Sequence, residues 1–359
     1  MWIVNILLLI IVLGILILVH EVGHFLVARK NKVFIYEFAI GMGPIIFSKK
    51  GKDGVLYSIR AFPIGGFCQM AGEVLEDDDE VPKDQFLCNK KAWQRTIILL
   101  AGVFFNVLLA LVFFFISGLI WGSKGLYPII GEVSPGYPMS EAISSTGRGV
   151  SSGDRIIEIN NHKVRTWDKA QLILSLKHEG SYEFVIKHPD GSIDKYELTP
   201  VLEKTDSGER QVFGISLDQT EKRGVLASLE YSFVKFGSVT NSMALVIGNL
   251  FTGKLSLSAL AGPVGIYGVI GESTHQGSAG AGIQYLLYII AFLSINLAFV
   301  NTLPFPAFDG GRILFIIIEK IKGSPVNTKV ENIFHTIGFI LLMILMVYIT
   351  FQDILRLFN

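Results

Sequence analysis

His20-Glu21-Val22-Gly23-His24, near the end of an apolar run without a charge from Met1 to Val19, decides how the rest of this chain is read. On a helix the two histidines stand at i and i+4, one turn apart on one face, so both rings can reach a single ion. The glutamate between them then faces the ion's open position as a general base. Apolar residues resume after His24 with Phe25-Leu26-Val27-Ala28, before Arg29 and Lys30. At 1.5 Å per residue the uncharged run is about 28 Å long, close to the hydrocarbon thickness of a bilayer. His20 is then roughly 13 Å along the helix from Arg29, inside the membrane rather than at its edge. The alternative is a histidine pair satisfied between two packed helices. Against it, ionisable side chains within a span are costly and usually mark function.

Composition points the same way. Of 359 residues, 50% are hydrophobic, more than a soluble chain usually carries. The 31 basic and 31 acidic residues balance, and no dense basic stripe occurs, which argues against nucleic acid as a partner. Cys68 and Cys88 have no zinc-knuckle spacing and read as reduced thiols. The N-terminal run has no basic leader and is too long for a signal peptide, and cleavage would discard the histidines.

Four spans are predicted: residues 1–28, 97–121, 283–312 with a terminal Asp-Gly, and 333–353. Arg29, Lys30, Lys32, Lys49, Lys50, Lys52, Lys90, Lys91 and Arg95 crowd the first connection, and Arg312, Lys320, Lys322 and Lys329 the third. By the positive-inside bias both connections are cytoplasmic, and both termini and the large connection after span two are extracytoplasmic. The first connection, 29–96, reads as a membrane-associated β-hairpin of 45–49 and 55–62. An apolar, Gly-punctuated stretch, 63–72, follows and is expected to re-enter the membrane as a loop. The acid run Glu76-Asp77-Asp78-Asp79-Glu80 reads as a solvated loop.

Residues 125–218 read as a compact α+β domain of turns, strands and one helix over 167–177. Ser152-Gly153-Asp154-Arg155-Ile156-Ile157-Glu158-Ile159-Asn160, after the turn Pro135-Gly136-Tyr137-Pro138, resembles the PDZ domains of bacterial envelope proteases. Such a domain binds peptide by adding a strand to a sheet edge. Residues 143–150 look lengthened by comparison. Within 219–282, Lys235 interrupts the apolar 225–251. This segment is expected to be an amphipathic helix on the outer side, the alternative being a fifth span. A Gly/Pro turn at 261–265 then leads to span three.

A zinc site wants a third protein ligand and one open position. Asp309, a lone acid after the breakers Pro304 and Pro306 and before Gly310-Gly311, is the best candidate. It would otherwise cap the helix that starts near Gly310. Glu37, Glu73 and Glu319 sit among ordinary loop charges and compete less well.

The pairing of His20-Glu21-Val22-Gly23-His24 with Asn296 and Asn301-Thr302-Leu303-Pro304-Phe305-Pro306-Ala307-Phe308-Asp309-Gly310-Gly311-Arg312 resembles the site-2 protease family of intramembrane zinc metalloproteases. The likeness is to the bacterial branch with an extracytoplasmic PDZ domain and covers nearly the whole chain. It takes in Gly65-Gly66-Phe67-Cys68-Gln69-Met70-Ala71-Gly72-Glu73, Gly102 with Asn106, and Ala261-Gly262-Pro263-Val264-Gly265. It implies a polytopic α-helical protein of the bacterial cell membrane that binds Zn²⁺ through His20, His24 and Asp309. Glu21 is then the base, and Asn296 and Asn301 hold substrate. The expected reaction cuts transmembrane segments of single-pass proteins, such as anti-sigma factors or signal-peptide remnants, usually after a first cut by another protease. Expected partners are those substrates, an ectodomain or peptide at the PDZ domain, and lipid. Phe308 stands where the family usually has Leu, and one PDZ domain replaces the two of some members. For Asn106, hydrogen bonding between helices is the alternative to a role in the site. A membrane-anchored PDZ scaffold leaves the buried histidines unexplained, and a metal transporter fits poorly with four spans and no repeat.

Overall fold

An uncharged segment inside a bilayer satisfies its backbone by forming a helix, and the spans do so. The computed structural model describes residues 2–73, 81–175, 180–205, 208–253, 255–257 and 260–358; the acid run 76–80 lies outside them. The chain divides into two compact units, Met1–Phe113 with Gly248–Asn359, and Phe114–Ile247.

In the first unit α1 (Trp2–Lys30) is followed by strands β1 (Ile35–Lys50) and β2 (Leu56–Met70), and then by α2 (Ala92–Trp121), which runs on into the second unit. The two strands are antiparallel and bent, so they pair more than once. Phe38, Ala39 and Ile40 pair on one side with Cys68, Phe67 and Gly66, and on the other with Tyr57, Ser58 and Ile59. Phe47 to Lys50 pair in turn with Ile59 to Leu56. Gly41 and Gly43, both at φ 86°, take the left-handed backbone that the bend requires. The stretch 63–72, expected as a loop, is therefore mostly strand. Its backbone groups find partners in β1, which an isolated loop in an apolar setting could not provide.

The second unit holds β3 (Ile130–Val133), β4 (Arg155–Ile159), β5 (His162–Lys163), α3 (Trp167–Ser175), β6 (Tyr182–Lys187), β7 (Ile193–Leu198), β8 (Val201–Thr205), β9 (Gly208–Val212), β10 (Ile215–Leu217) and most of α4 (Val225–Phe251). An antiparallel sheet of order β5-β4-β6-β7 lies over a core of Ile130, Met139, Ile156, Ile159, Tyr182, Phe184, Ile186 and Phe213. α4 is not among the four helices long and apolar enough to cross a membrane. Lys235 holds it to this unit, its Nζ 2.8 Å from each carboxylate oxygen of Asp168.

The remainder of the first unit is α5 (Pro263–Glu272), α6 (Ala279–Thr302), α7 (Asp309–Lys322) and α8 (Thr328–Phe358). The turn expected at 261–265 is in fact the start of α5. Pro263 sits at its first turn, where no amide donor is missed, and the carboxylate of Asp353 in α8 accepts from the amides of Gly262 (2.9 Å) and Gly265 (2.8 Å). The four helices that meet the requirement for a span are α1, α2, α6 and α8. Val12 and Leu16 of α1 pack against Ile270 of α5 and Ile289 and Ile290 of α6. Between lipid-embedded helices such contact rests on close fit more than on water exclusion. Glycines supply that fit for α1 and α2: a Cβ on Gly23 would stand 2.5 Å from the Ala101 carbonyl oxygen.

Candidate metal centre

Helix periodicity brings His20 and His24 to one face of α1, with ring centroids 4.7 Å apart. Both are buried. Asp309 reaches them from the start of α7, 289 residues after His20, by way of a broken segment. There Phe305 N bonds Leu303 O at 2.7 Å, and Ala307 takes φ 76°. A left-handed alanine costs roughly 1–2 kcal/mol. It is held in place from α8, where His335 Nδ1 accepts from the Ala307 amide at 2.9 Å. Gly310 allows α7 to start against the end of α6, because a Cβ there would lie 2.6 Å from the Thr302 carbonyl carbon. Asp309 does not act as the helix cap: the cap position is Phe308, and the carboxylate turns to the histidines instead.

The three ligand atoms form a small triangle. His20 Nε2 is 3.2 Å and His24 Nε2 3.4 Å from Asp309 Oδ2, and the two nitrogens are 3.1 Å apart. Tetrahedral zinc with bonds of about 2.0–2.1 Å sets its ligands about 3.3 Å from one another. Asp309 Oδ2 is buried with no hydrogen-bond donor of its own. His24 Nδ1 donates to the Ile98 carbonyl at 2.8 Å, and since a carbonyl only accepts, the lone pair of neutral His24 is on Nε2 and faces the triangle. Donor set, spacing and the unpartnered oxygen all fit a zinc ion.

The competing acids are already occupied. Arg60 Nη2 lies 2.8 Å from both oxygens of Glu37, Arg312 Nη1 is 2.6 Å from Glu73 Oε1, and Arg95 pairs with Glu319. Asp309 alone of the four lacks a Lys or Arg among its described ion-pair partners.

A cavity of about 410 Å³ opens on the triangle. Glu21 and Asn301 line it, along with Phe67, Cys68, Gln69 and Met70 of β2. Asn301 Nδ2 is 3.5 Å from His20 Nε2. Asn296, half-buried on α6, is not among the residues lining the cavity. Sequence reasoning weighed Glu73 only as a competing ligand and gave Arg312 and His335 no part in the site. Arg312 and Glu73 form one wall as an ion pair, and His335 steadies the Asp309 loop from the last helix. Arg312 directly follows the Asp-Gly-Gly turn, which was a usable signal; His335 had none, because its contact is long-range. Gly102 lies against the histidines, a Cβ there standing 2.5 Å from His24 Nε2.

The model of peptidase family M50 matches residues 8–345. Zinc metalloprotease RasP of Bacillus licheniformis is 32% identical over 426 residues, covering 97% of this chain and 98% of that protein. Zinc metalloprotease RasP of Geobacillus kaustophilus is 33% identical over 426 residues, covering 97% of each. Regulator of sigma-W protease RasP of Bacillus subtilis is 32% identical over 428 residues, with 97% and 98% covered.

Proposed function

This chain belongs to peptidase family M50, the site-2 proteases, and from that premise we propose how its residues divide the work of cutting a membrane-embedded peptide. It is a zinc metalloprotease of a bacterial membrane. His20, His24 and Asp309 hold the ion, and the observation that carries this is the convergence of their three atoms within 3.1–3.4 Å of one another. Bound zinc supplies a Lewis acid that makes water a nucleophile near neutral pH and polarises the scissile carbonyl. Glu21, in the same cavity, takes the proton from the attacking water and gives it to the leaving amine.

A peptide bond inside a helix is shielded by its own hydrogen bonds, so the substrate must unwind before it is cut. Asn301, at the cavity wall, offers donor and acceptor to the freed backbone, with Asn296 further back on the same helix. The strand partner for the unwound segment is β2 at Phe67–Met70, which borders the cavity. Residues 125–218 act as an extracytoplasmic PDZ domain that selects substrates by recruiting peptide or refusing large ectodomains. β10 pairs only with β3 among the described strands, which supports a peptide-accepting edge. The substrates are single-pass proteins of the anti-sigma-factor or signal-peptide-remnant kind, trimmed first by another protease.

The test is Glu21→Gln. That variant should keep its zinc and bind an uncleaved transmembrane substrate while turnover falls about 10²–10⁴-fold. Cleavage near the wild-type rate would remove Glu21 as the base. Orientation is checked separately: cysteines placed at Lys52 and Lys90, in a chain without Cys68 and Cys88, should escape an impermeant thiol reagent in intact cells. One at Lys195 should react, and the reverse pattern would invert the topology.

A further inference from the structure

Neutral imidazole has one N–H, and a ring that gives Nε2 to a metal must carry its proton on Nδ1. His24 meets this requirement through Ile98 O on α2. His20 has its own partner one helix over: the amide nitrogen Nδ2 of Asn106, also on α2, stands 3.2 Å from His20 Nδ1. Asn106 is fully buried, and its Oδ1 has no hydrogen-bond donor. Ser294 Oγ of α6 donates to the Asn106 main-chain carbonyl at 2.8 Å, which ties this point of α2 to the helix carrying Asn301. Gly102, one turn earlier on α2, admits both rings: a Cβ there would stand 2.5 Å from His24 Nε2 and 2.6 Å from His20 Cε1.

We propose that Asn106 is a positioning residue whose carboxamide oxygen accepts His20 Nδ1–H, fixing the tautomer and ring angle that turn the His20 Nε2 lone pair toward zinc. The chemistry of the ring decides which end of the amide faces it. The nitrogen Nδ2 is the amide atom at 3.2 Å, but donating to Nδ1 it would force the proton onto Nε2 and block the metal, whereas the amide turned end for end sets its oxygen against Nδ1–H and leaves Nε2 free. Helix α2 thus orients both histidines, one through a main-chain carbonyl and one through a side chain. Hydrogen bonding between spans remains part of what Asn106 does, but through its main-chain oxygen to Ser294. Its side chain serves the ring.

The inference rests on His20 being a ligand, and the experiment separates the two. Zinc affinity is measured by chelator competition on the purified full-length chain, together with the melting temperature of the metal-free form, for wild type, His20→Ala, Asn106→Leu and Asn106→Asp. Asn106→Leu keeps the volume and loses the acceptor, so zinc affinity should fall about 10–100-fold with the metal-free chain still folded. Asn106→Asp supplies an acceptor and should stay within about threefold of wild type, in line with carboxylate–histidine–zinc pairing. A merely structural asparagine would show the opposite split, with a lower melting temperature and unchanged affinity. The proposal is overturned if the leucine variant binds zinc as wild type does, or if the aspartate variant falls as far as the leucine one. Should Asn106→Leu fail to fold, the aspartate arm decides alone. If His20→Ala itself binds zinc like wild type, the ligand assignment falls and takes this inference with it.

Discussion

The chain builds histidine–aspartate clusters in both of its units, and they differ in what the lone pairs meet. In the second unit His188 is buried between Asp154 and Asp194. Its Nδ1 is 2.8 Å from Asp154 Oδ1, its Nε2 is 3.3 Å from Asp194 Oδ2, and Tyr196 Oη lies 3.2 Å from Nε2. The far sides are closed as well: Asp154 Oδ2 accepts from the Ser151 amide at 2.8 Å, and Asp194 Oδ1 from Thr146 Oγ1 at 2.8 Å. Every atom there faces a partner of opposite role, and the cluster fastens the 143–150 loop to the sheet. Around His20, His24 and Asp309 the outer ring nitrogens are also tied, but the inner atoms face each other. Two ring nitrogens and a carboxylate oxygen converge with a single buried oxygen left undonated. Residue types alone do not separate a metal site from a structural network. What separates them is whether the lone pairs are answered by protons or converge on one point.

The sharpest way to break that contrast is to remove one member from each cluster and count zinc. His20→Ala, His24→Ala or Asp309→Ala should each weaken binding by well over ~100-fold, more than the loss of an outer-shell partner. His188→Leu should leave zinc stoichiometry untouched. Full metal content in purified Asp309→Ala would end the third assignment. The reciprocal measurement is stability of the second unit. His188→Leu leaves the buried Asp154 Oδ1 without its hydrogen-bond donor, and unfolding of that unit should become easier by about 2–3 kcal/mol. An unchanged transition would mean that the cluster is not structural.

A smaller effect sharpens the metal side. His335→Phe keeps an aromatic ring against Phe315 but removes the acceptor for the Ala307 amide, so the loop carrying Asp309 loses its outer tie. Zinc affinity should drop by about tenfold, at the low end for outer-shell partners, and equal affinity would relieve His335 of that role. The smallest effect is acid dependence in the second unit. The Thr146 hydroxyl, with Ser144 and His188 beside it, holds the Asp194 carboxyl below the usual carboxylate range. Its contribution is therefore present above the unfolded value near pH ~3.9 and is lost as pH falls through the lower folded value. Asp194→Asn should be less stable than wild type at neutral pH, and the gap should close only below about pH 4. A gap that stays constant down to pH 2 would contradict the assignment.

Much of the candidate metal centre was legible from spacing. The i, i+4 pair needs only a helix, and an uncharged run supplied it; the breakers around Asp309 marked a place where the chain leaves a span. The strand over 63–72 was not legible, because its glycines and proline read locally as a loop and only pairing with Phe38–Ile40 makes it a strand. Likewise the start of α5 reads locally as a turn, since Gly262 and Pro263 are a helix start only with Asp353 there to accept from the free amides.

By itself the sequence determined the four long apolar helices, the histidine pair on one face of the first, and the acid best placed to complete it. These follow from period, length and the cost of charge in lipid, all of which are properties of short segments. Tertiary structure alone decided which acids were already spent on arginines, which residues of α2 lie against each imidazole, and that the last helix braces the Asp309 loop. Those are contacts between residues separated by tens to hundreds of positions. A hydrogen bond is set by distances of a few tenths of an ångström, which no local pattern of side chains encodes.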